Sequence, residues 1–191
     1  MRQVKQAILV FVSFSVLCGL FYPLLMTAVS QFLFPWRSNG SRITTDHRAL
    51  GSELIGQKFD SLKYFHGRPS GTDPPYNASA SGGSNCGPSN AKLRLEVMKR
   101  IEQVRYENRL SSDIPIPADL VLASASGLDP HISLESAMLQ VERIAKERRL
   151  SEPEVVKIVD EFVEGRFLGI WGQPRVNVLK LNLAMDKLKG E

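Results

Sequence analysis

An α+β soluble domain anchored by one N-terminal transmembrane helix is the fold class that this sequence predicts. Three observations carry the prediction. Between Lys5 and Arg37 the chain runs without a single charge. Behind that run, three stretches repeat their apolar residues with the period of a helix. Between and after them lie short apolar segments bounded by Gly and Pro, and one segment that alternates apolar and polar residues. The expected division is residues 1–36 as a tail and single transmembrane helix, and 37–191 as the soluble α+β domain.

The uncharged run, QAILVFVSFSVLCGLFYPLLMTAVSQFLFPW, exceeds the ~20 helical residues that cross a hydrocarbon core. Pro23 in its middle has no backbone donor and predicts a kink. Trp36 closes the run beside Arg37, where an interfacial aromatic belongs. The competing reading is a cleaved signal peptide, because MRQVK resembles a charged leader. Leader apolar regions span ~7–15 residues. This run is about twice that length, and Ala28-x-Ser30 is its nearest match to a cleavage site. Orientation stays open. Arg2 and Lys5 precede the span, Arg37, Arg42 and Arg48 follow it, and long domains translocate largely regardless of charge.

The chain carries 24 Lys+Arg against 20 Asp+Glu, a net charge of +4. Arg2 and Lys5 supply half of that excess, so the rest is nearly balanced. No basic block is interleaved with aromatics, and no nucleic-acid partner is expected. Cys18 lies in the apolar run and Cys86 in a polar loop, so no disulfide framework is expected. His47, His66 and His131 are scattered singly, without the spacing of metal ligands.

Residues 37–50 are polar and read as a linker. SELIGQKF and SLKYFHGRPSG are each a short strand or an irregular core segment. A loop from Pro69 to Pro88 follows, of a length that is usually functional or mobile. The first helix starts near Ser89–Asn90, which can cap it, and ends near Leu110. Its inner stripe is Leu93, Val97, Met98, Ile101 and Val104. Pro115 and Pro117 bar a helix, and DLVLAS reads as a strand. Ser133 caps the second helix, whose inner face is Ala137, Met138, Val141, Ile144 and Ala145 and whose end, KERRL, is basic. Ser151 to Glu154 form a capping box for the third. Its apolar face runs from Val155 to Val163, and Gly165 stops it. Val176 to Leu183 alternates and predicts a half-buried strand.

The loop SGGSNCGPSN raises the question of chemistry. Gly82 and Gly87 have the spacing of a phosphate-binding loop, but Pro88 stands where the lysine belongs. GGSNCG also lacks the dinucleotide-binding pattern. What remains is a glycine-rich loop before a helix N-terminus, able to attract an anion, or simply a turn held by hydrogen bonds. Ser126, Asp129 and His131 invite a hydrolase reading, yet adjacency along a chain is no evidence for a triad. Gly127 and Asp129-Pro130 serve equally well as a turn. Glu and Lys on the helices read as solvated faces, Trp171 as a packing anchor or interface residue. The residues present no catalytic group and no metal site.

Five blocks in order carry a resemblance: GSELIGQKFDSLKYFHGRPS, YNASASGGSNCGPSN, ADLVLASASGLDPHIS, QVERIAKERRL and QPRVNVLKLNLAMD. Together they resemble the KdpC family, the C subunit of the bacterial potassium-transporting P-type ATPase. The resemblance covers essentially the whole chain. It implies a non-catalytic subunit of a high-affinity, ATP-driven potassium uptake complex in the cytoplasmic (inner) membrane. The implied partners are a potassium channel-like subunit, a P-type ATPase subunit and membrane lipid. No cofactor is bound tightly, and ATP would be met through the ATPase subunit. The family implies two roles. One is a catalytic chaperone that raises the ATP affinity of the ATP-hydrolysing subunit through a glutamine, for which Gln140 is the candidate; the alternative for Gln140 is a plain helix-surface residue. The other is an extracytoplasmic stabiliser or lid over the potassium entrance. A partner contact at the signature loop would involve Ser81, Gly82, Gly83, Ser84, Asn85, Gly87, Ser89 and Asn90. A membrane-anchored hydrolase is the remote alternative.

Overall fold

A computed structural model describes residues 1–45 and 48–188. His47 therefore lies outside the described residues. Two units pack within themselves, Met1–Leu50 and the chain from Gly51 onward.

The first unit is dominated by one helix long and apolar enough to cross a membrane, Arg2–Leu33, none of it buried. It consists of α1 (Arg2–Val16), a π-helical turn (Leu17–Phe21) and α2 (Tyr22–Leu33). The turn explains how Pro23 is accommodated. A proline ring removes one donor and crowds the carbonyl four residues back. Here the ladder widens just before it, so that Tyr22 N–H donates to the Leu17 carbonyl. Thr27 Oγ1 donates to the Pro23 carbonyl at 2.7 Å. A single turn, α3 (Pro35–Ser38), follows. Asn39 then ties back, donating to the Pro35 carbonyl at 2.6 Å and to Gln31 Oε1 at 3.2 Å. The expected polar linker instead folds beyond this point into a two-stranded sheet of β1 (Arg42–Thr45) and β2 (Arg48–Ser52).

In the second unit, α4 (Ala91–Asn108) begins as expected, with Asn90 Oδ1 accepting from Lys92 N–H at 2.8 Å. Its inner stripe needs one correction: Met98 is exposed. DLVLAS is not a strand. Ala118–Leu120 is a 3₁₀ turn. It aims Asp119 at the next helix, where the carboxylate accepts from Ser133 N–H at 2.6 Å and from Ser136 Oγ–H at 2.5 Å. Leu120 and Val121 still reach the core.

β3 (His131–Ser133) leads into α5 (Leu134–Leu139), capped by Ser133 as expected. The second helix is broken once, at Gln140, before α6 (Val141–Arg148). The capping box of Ser151 and Glu154 opens α7 (Glu152–Glu161). This helix stops four residues before Gly165, because Val163 is taken into a sheet. β4 (Val163–Glu164) and β3 both pair antiparallel with β5 (Arg175–Asn177), which lies between them.

The expected strand at Val176–Leu183 is corrected: β5 ends at Asn177 and α8 (Val178–Lys187) follows at once. Val176 and Val178 fit a strand, whereas Val178, Leu181 and Met185 fit a helix at i, i+3 and i+7. Asn177 decides between them by accepting Lys180 N–H at 3.1 Å, an N-cap. Phe65, Ile132, Ile144, Val155, Val159, Val176, Leu181 and Met185 close one core between the sheet and α5–α8. Helices and small sheets behind one apolar N-terminal helix thus realise the expected α+β class.

Asn177 is 2% exposed, and its amide also donates to the Glu53 carbonyl at 2.8 Å. Asn177→Ala removes the cap and orphans that carbonyl. It should lower unfolding stability by about 2 kcal/mol, read as a reduced melting midpoint by near-UV circular dichroism of the full chain in detergent.

Candidate functional site

The segment SLKYFHGR crosses the second unit without regular structure, although Phe65 is fully buried. Buried carbonyls need donors, and here side chains provide every one from 62 to 66. Arg143 Nη1 donates to Leu62 O and, at 3.0 Å, to Tyr64 O. Arg148 Nε donates to Lys63 O at 2.7 Å. Asn182 Nδ2 donates to Phe65 O at 2.9 Å, and Gln140 Nε2 to His66 O at 3.2 Å. Two of these side chains also accept, taking Phe65 N–H on Asn182 Oδ1 and His66 N–H on Gln140 Oε1, each at 2.8 Å. The amides of Asn182 and Gln140 thus act as pieces of a missing neighbouring strand.

Gln140 is therefore no helix-surface residue, being 1% exposed. Its Oε1 also accepts from Arg143 Nη2 at 2.7 Å, and its Nε2 also donates to Ser136 O at 3.1 Å. A nucleotide contact at this amide has to replace one of those bonds. Arg143, to which sequence reasoning gave no role, and Arg148, read only as part of a basic helix end, are 5% and 3% exposed. The signal was present: Val141, Ile144, Ala145 and Arg148 fall on one helical stripe. Burial pulls the Arg143 guanidinium down to about 10 against the opposing charges of Glu107 and Glu147. Arg148 also donates to Met185 O at 2.7 Å and to Asp186 Oδ1 at 2.8 Å.

The glycine-rich loop faces a different task. Gly82 N–H and Ser81 Oγ–H both donate to the Ser126 carbonyl, each at 2.9 Å. Ser70 Oγ–H donates to the Gly127 carbonyl at 2.7 Å. Three backbones meet here with no room for side chains. A Cβ on Gly127, at φ +68°, would stand 2.6 Å from Gly82 O, and one on Gly71 would stand 2.9 Å from Gly83 C. Gly71, Gly83 and Gly127 serve close packing, whereas Gly82 and Gly87 have open space where a Cβ would stand. The outer rim of the loop, with Ser84, Asn85, Gly87, Ser89 and Asn90, is exposed, and Cys86 is half-buried.

Ser126, Asp129 and His131 do not assemble a triad. The Ser126 hydroxyl accepts Leu128 N–H at 3.1 Å. The His131 ring lies between two carboxylates, Nδ1 at 3.6 Å from Asp129 and Nε2 at 3.4 Å from Glu164. Asp129 is pushed up by burial. The hydrogen bonds from His131 and the charge of Arg68, at 3.1 Å, outweigh this and hold it below the usual carboxylate range. Trp171 is no packing anchor, being 64% exposed.

A cleft of about 360 Å³ beside α4 is lined by His66, Arg68, Tyr76, Arg100, Glu107 and Gln140 among others. Its charges are paired internally: His66 with Glu107 at 3.3 Å, and Arg100 with Glu96 at 3.4 Å. Burial and the Asp129 charge push the Tyr76 phenol up to about 12, against the pull of Arg68, so it stays a neutral donor to the Arg68 carbonyl. This arrangement binds its own backbone and presents no activated nucleophile.

The family model for the K+-transporting ATPase, c chain, KdpC, matches residues 4–187. Curated relatives named potassium-transporting ATPase KdpC subunit align over nearly the full length. The Methylococcus capsulatus protein is 50% identical over 186 residues, covering 97% of each chain. The Burkholderia ambifaria protein is 51% identical over 184 residues, 96% of this chain and 95% of the relative. The Caldanaerobacter subterraneus protein is 50% identical over 184 residues, 96% and 94%.

Gln140→Ala leaves the His66 peptide groups and one Arg143 donor without partners. It should cost about 2–4 kcal/mol of unfolding free energy, measured by denaturant titration. Glu107 supplies a pH dependence. The hydrogen bond from His66 is the main reason its carboxyl lies below the usual range, with partial burial opposing and Gln103 assisting. Its stabilisation is complete above the unfolded carboxylate pKa near ~4.3 and is lost as pH falls through the lower folded value. Glu107→Gln should therefore be less stable at neutral pH and show a shallower decline in melting midpoint between roughly pH 5 and 3.

Proposed function

This chain belongs to the KdpC family of potassium-transporting ATPase subunits, and from that premise we propose that it acts by assembly and not by chemistry of its own. The observation that carries the reading is the fate of its polar groups. Gln140, Arg143, Arg148 and Asn182 hold the segment 62–66 in place. Ser126 and His131 are engaged apart from each other. A domain organised in this way offers a rigid surface to a partner.

In this reading α1 and α2 cross the bacterial cytoplasmic membrane once. The unit from Gly51 onward lies outside the cytoplasm, beside the channel-like subunit and near its potassium entrance. The exposed rim of the signature loop, Ser84 to Asn90, is the partner contact. A raised ATP affinity of the ATP-hydrolysing subunit then arises allosterically, through the span and the partner subunits. Such coupling needs different contacts in the two states of the pump, and no nucleotide at Gln140.

Orientation tests the reading directly. In a background lacking both native thiols, Cys18→Ser and Cys86→Ser, Lys157→Cys places a single exposed thiol on α7, away from the proposed contact. A membrane-impermeant maleimide should label the Lys157→Cys chain in intact spheroplasts. Labelling that appears only after lysis would put the domain in the cytoplasm and discard the entrance role.

A further inference from the structure

One apolar surface of the second unit has no partner among the described residues: the tip of the hairpin that joins β4 to β5. Phe167, Leu168, Ile170 and Trp171 are 69%, 72%, 71% and 64% exposed. Four large apolar side chains within five residues form a patch of the kind that marks a binding surface. The tip is also ordered by its own bonds. Phe167 and Trp171 exchange N–H···O bonds at 2.8 and 3.0 Å, Gly169 N–H donates to Arg166 O at 3.0 Å, and Ile170 N–H to Phe167 O at 3.2 Å. The two rings stack with centroids 6.4 Å apart. Leu168 sits at the apex with φ +51°. Turn geometry alone favours Gly or Asn at such a position, and a branched apolar residue adopts it rarely. The leucine is therefore explained by what it presents.

The chemistry of the occupant follows from the base of the tip. Arg166 is exposed and makes no ion pair among the described residues, while Arg175, also exposed, reaches Glu164 at 3.1 Å. Apolar side chains with tryptophan at the end of a projection, and arginine behind them, match the layers of a bilayer: acyl chains beneath anionic phosphates. The amides of Phe167, Gly169, Ile170 and Trp171 are bonded within the tip, which lowers the cost of seating it in that layer. With the apolar helix Arg2–Leu33 read as the anchor, the domain is held near a bilayer whichever side it occupies.

We propose that the Phe167–Trp171 tip is a second membrane contact, seated in the anionic headgroup region of the bilayer that α1 and α2 cross, with Arg166 on lipid phosphate. This rests on the reading of α1 and α2 as the anchor. Two tethers on one domain restrict its tilt, and so fix which face it turns to its partners.

The chain has two tryptophans, which makes the test direct. The full chain is reconstituted in phosphatidylethanolamine and phosphatidylglycerol vesicles whose acyl chains carry bromine near the glycerol end. Trp36→Phe leaves Trp171 as the reporter, and Trp171→Phe leaves Trp36. Trp171 emission should be quenched, and Ile170→Asp or Arg166→Glu should reduce that quenching at least about twofold. Quenching of Trp36 with none of Trp171 overturns the proposal and leaves the anchor standing. Quenching of neither removes the anchor, and the proposal with it. In the assembled complex in native membranes, a benzophenone side chain in place of Phe167 should form lipid adducts. Crosslinking to another subunit would show that the tip is a protein contact and overturn the proposal.

Discussion

The second unit depends on one constraint: the irregular stretch of backbone that buries Phe65 must have its carbonyls satisfied. From Leu62 to His66 the chain runs without strand neighbours and buries Phe65. An unpaired buried peptide group costs as much as a lost hydrogen bond or more. Arg143, Arg148, Asn182 and Gln140, on or beside α6 and α8, supply the donors. The helices are thereby clamped to the segment, and the segment positions Phe65 at the centre of the core. Burying two guanidiniums is expensive by itself. It is tolerated because their donors meet carbonyls, the Asp186 carboxylate and the side-chain oxygens of Asn108 and Gln140.

A second constraint works at the opposite extreme of side-chain size. Where Ser70–Thr72, Ser81–Gly83 and Ser124–Gly127 converge, backbone touches backbone, and only glycine permits the approach. In the loop that resembles a phosphate cradle this explains Gly83, while Gly82 and Gly87 have open space where a Cβ would stand. The loop's amide at Gly82 faces a protein carbonyl. Both constraints turn chemically suggestive residues inward. They leave exposed the outer rim of the loop, part of α4 including Tyr106 at 87% exposure, and the hairpin tip. For a subunit of a larger complex this division is physically coherent, because rigidity inside preserves the shape of the surfaces that partners meet.

Much of this was legible in the residues. The uncharged run, the Asn90 and Ser133 caps and the capping box of Ser151 and Glu154 all stand where local physics put them. These signals act over one or two turns and need no distant partner. The failures are equally specific. Val176 to Leu183 satisfies both a strand period and a helix period, and a single cap at Asn177 selects the helix. DLVLAS has strand composition, but Asp119 is required opposite Ser133 and Ser136, which a turn provides and a strand does not. By residue type nothing marks Gln140, Arg143 or Arg148 as buried, because residues of these types are usually exposed. Their burial follows from carbonyls some seventy to eighty-five residues earlier in the chain.

The sequence by itself determined the apolar N-terminal helix, the starts of α4, α5 and α7, the α+β class and the family, because each rests on composition, periodicity, capping or an ordered run of signature blocks. The tertiary structure alone decided what the suggestive side chains do. Ser126 and His131 are engaged apart, Gln140 completes a missing strand edge, and Gly71, Gly83 and Gly127 admit neighbouring backbone. The physical reason is common to all three. A polar side chain's role is set by the group it faces, and those groups are brought to it by folding from distant parts of the chain.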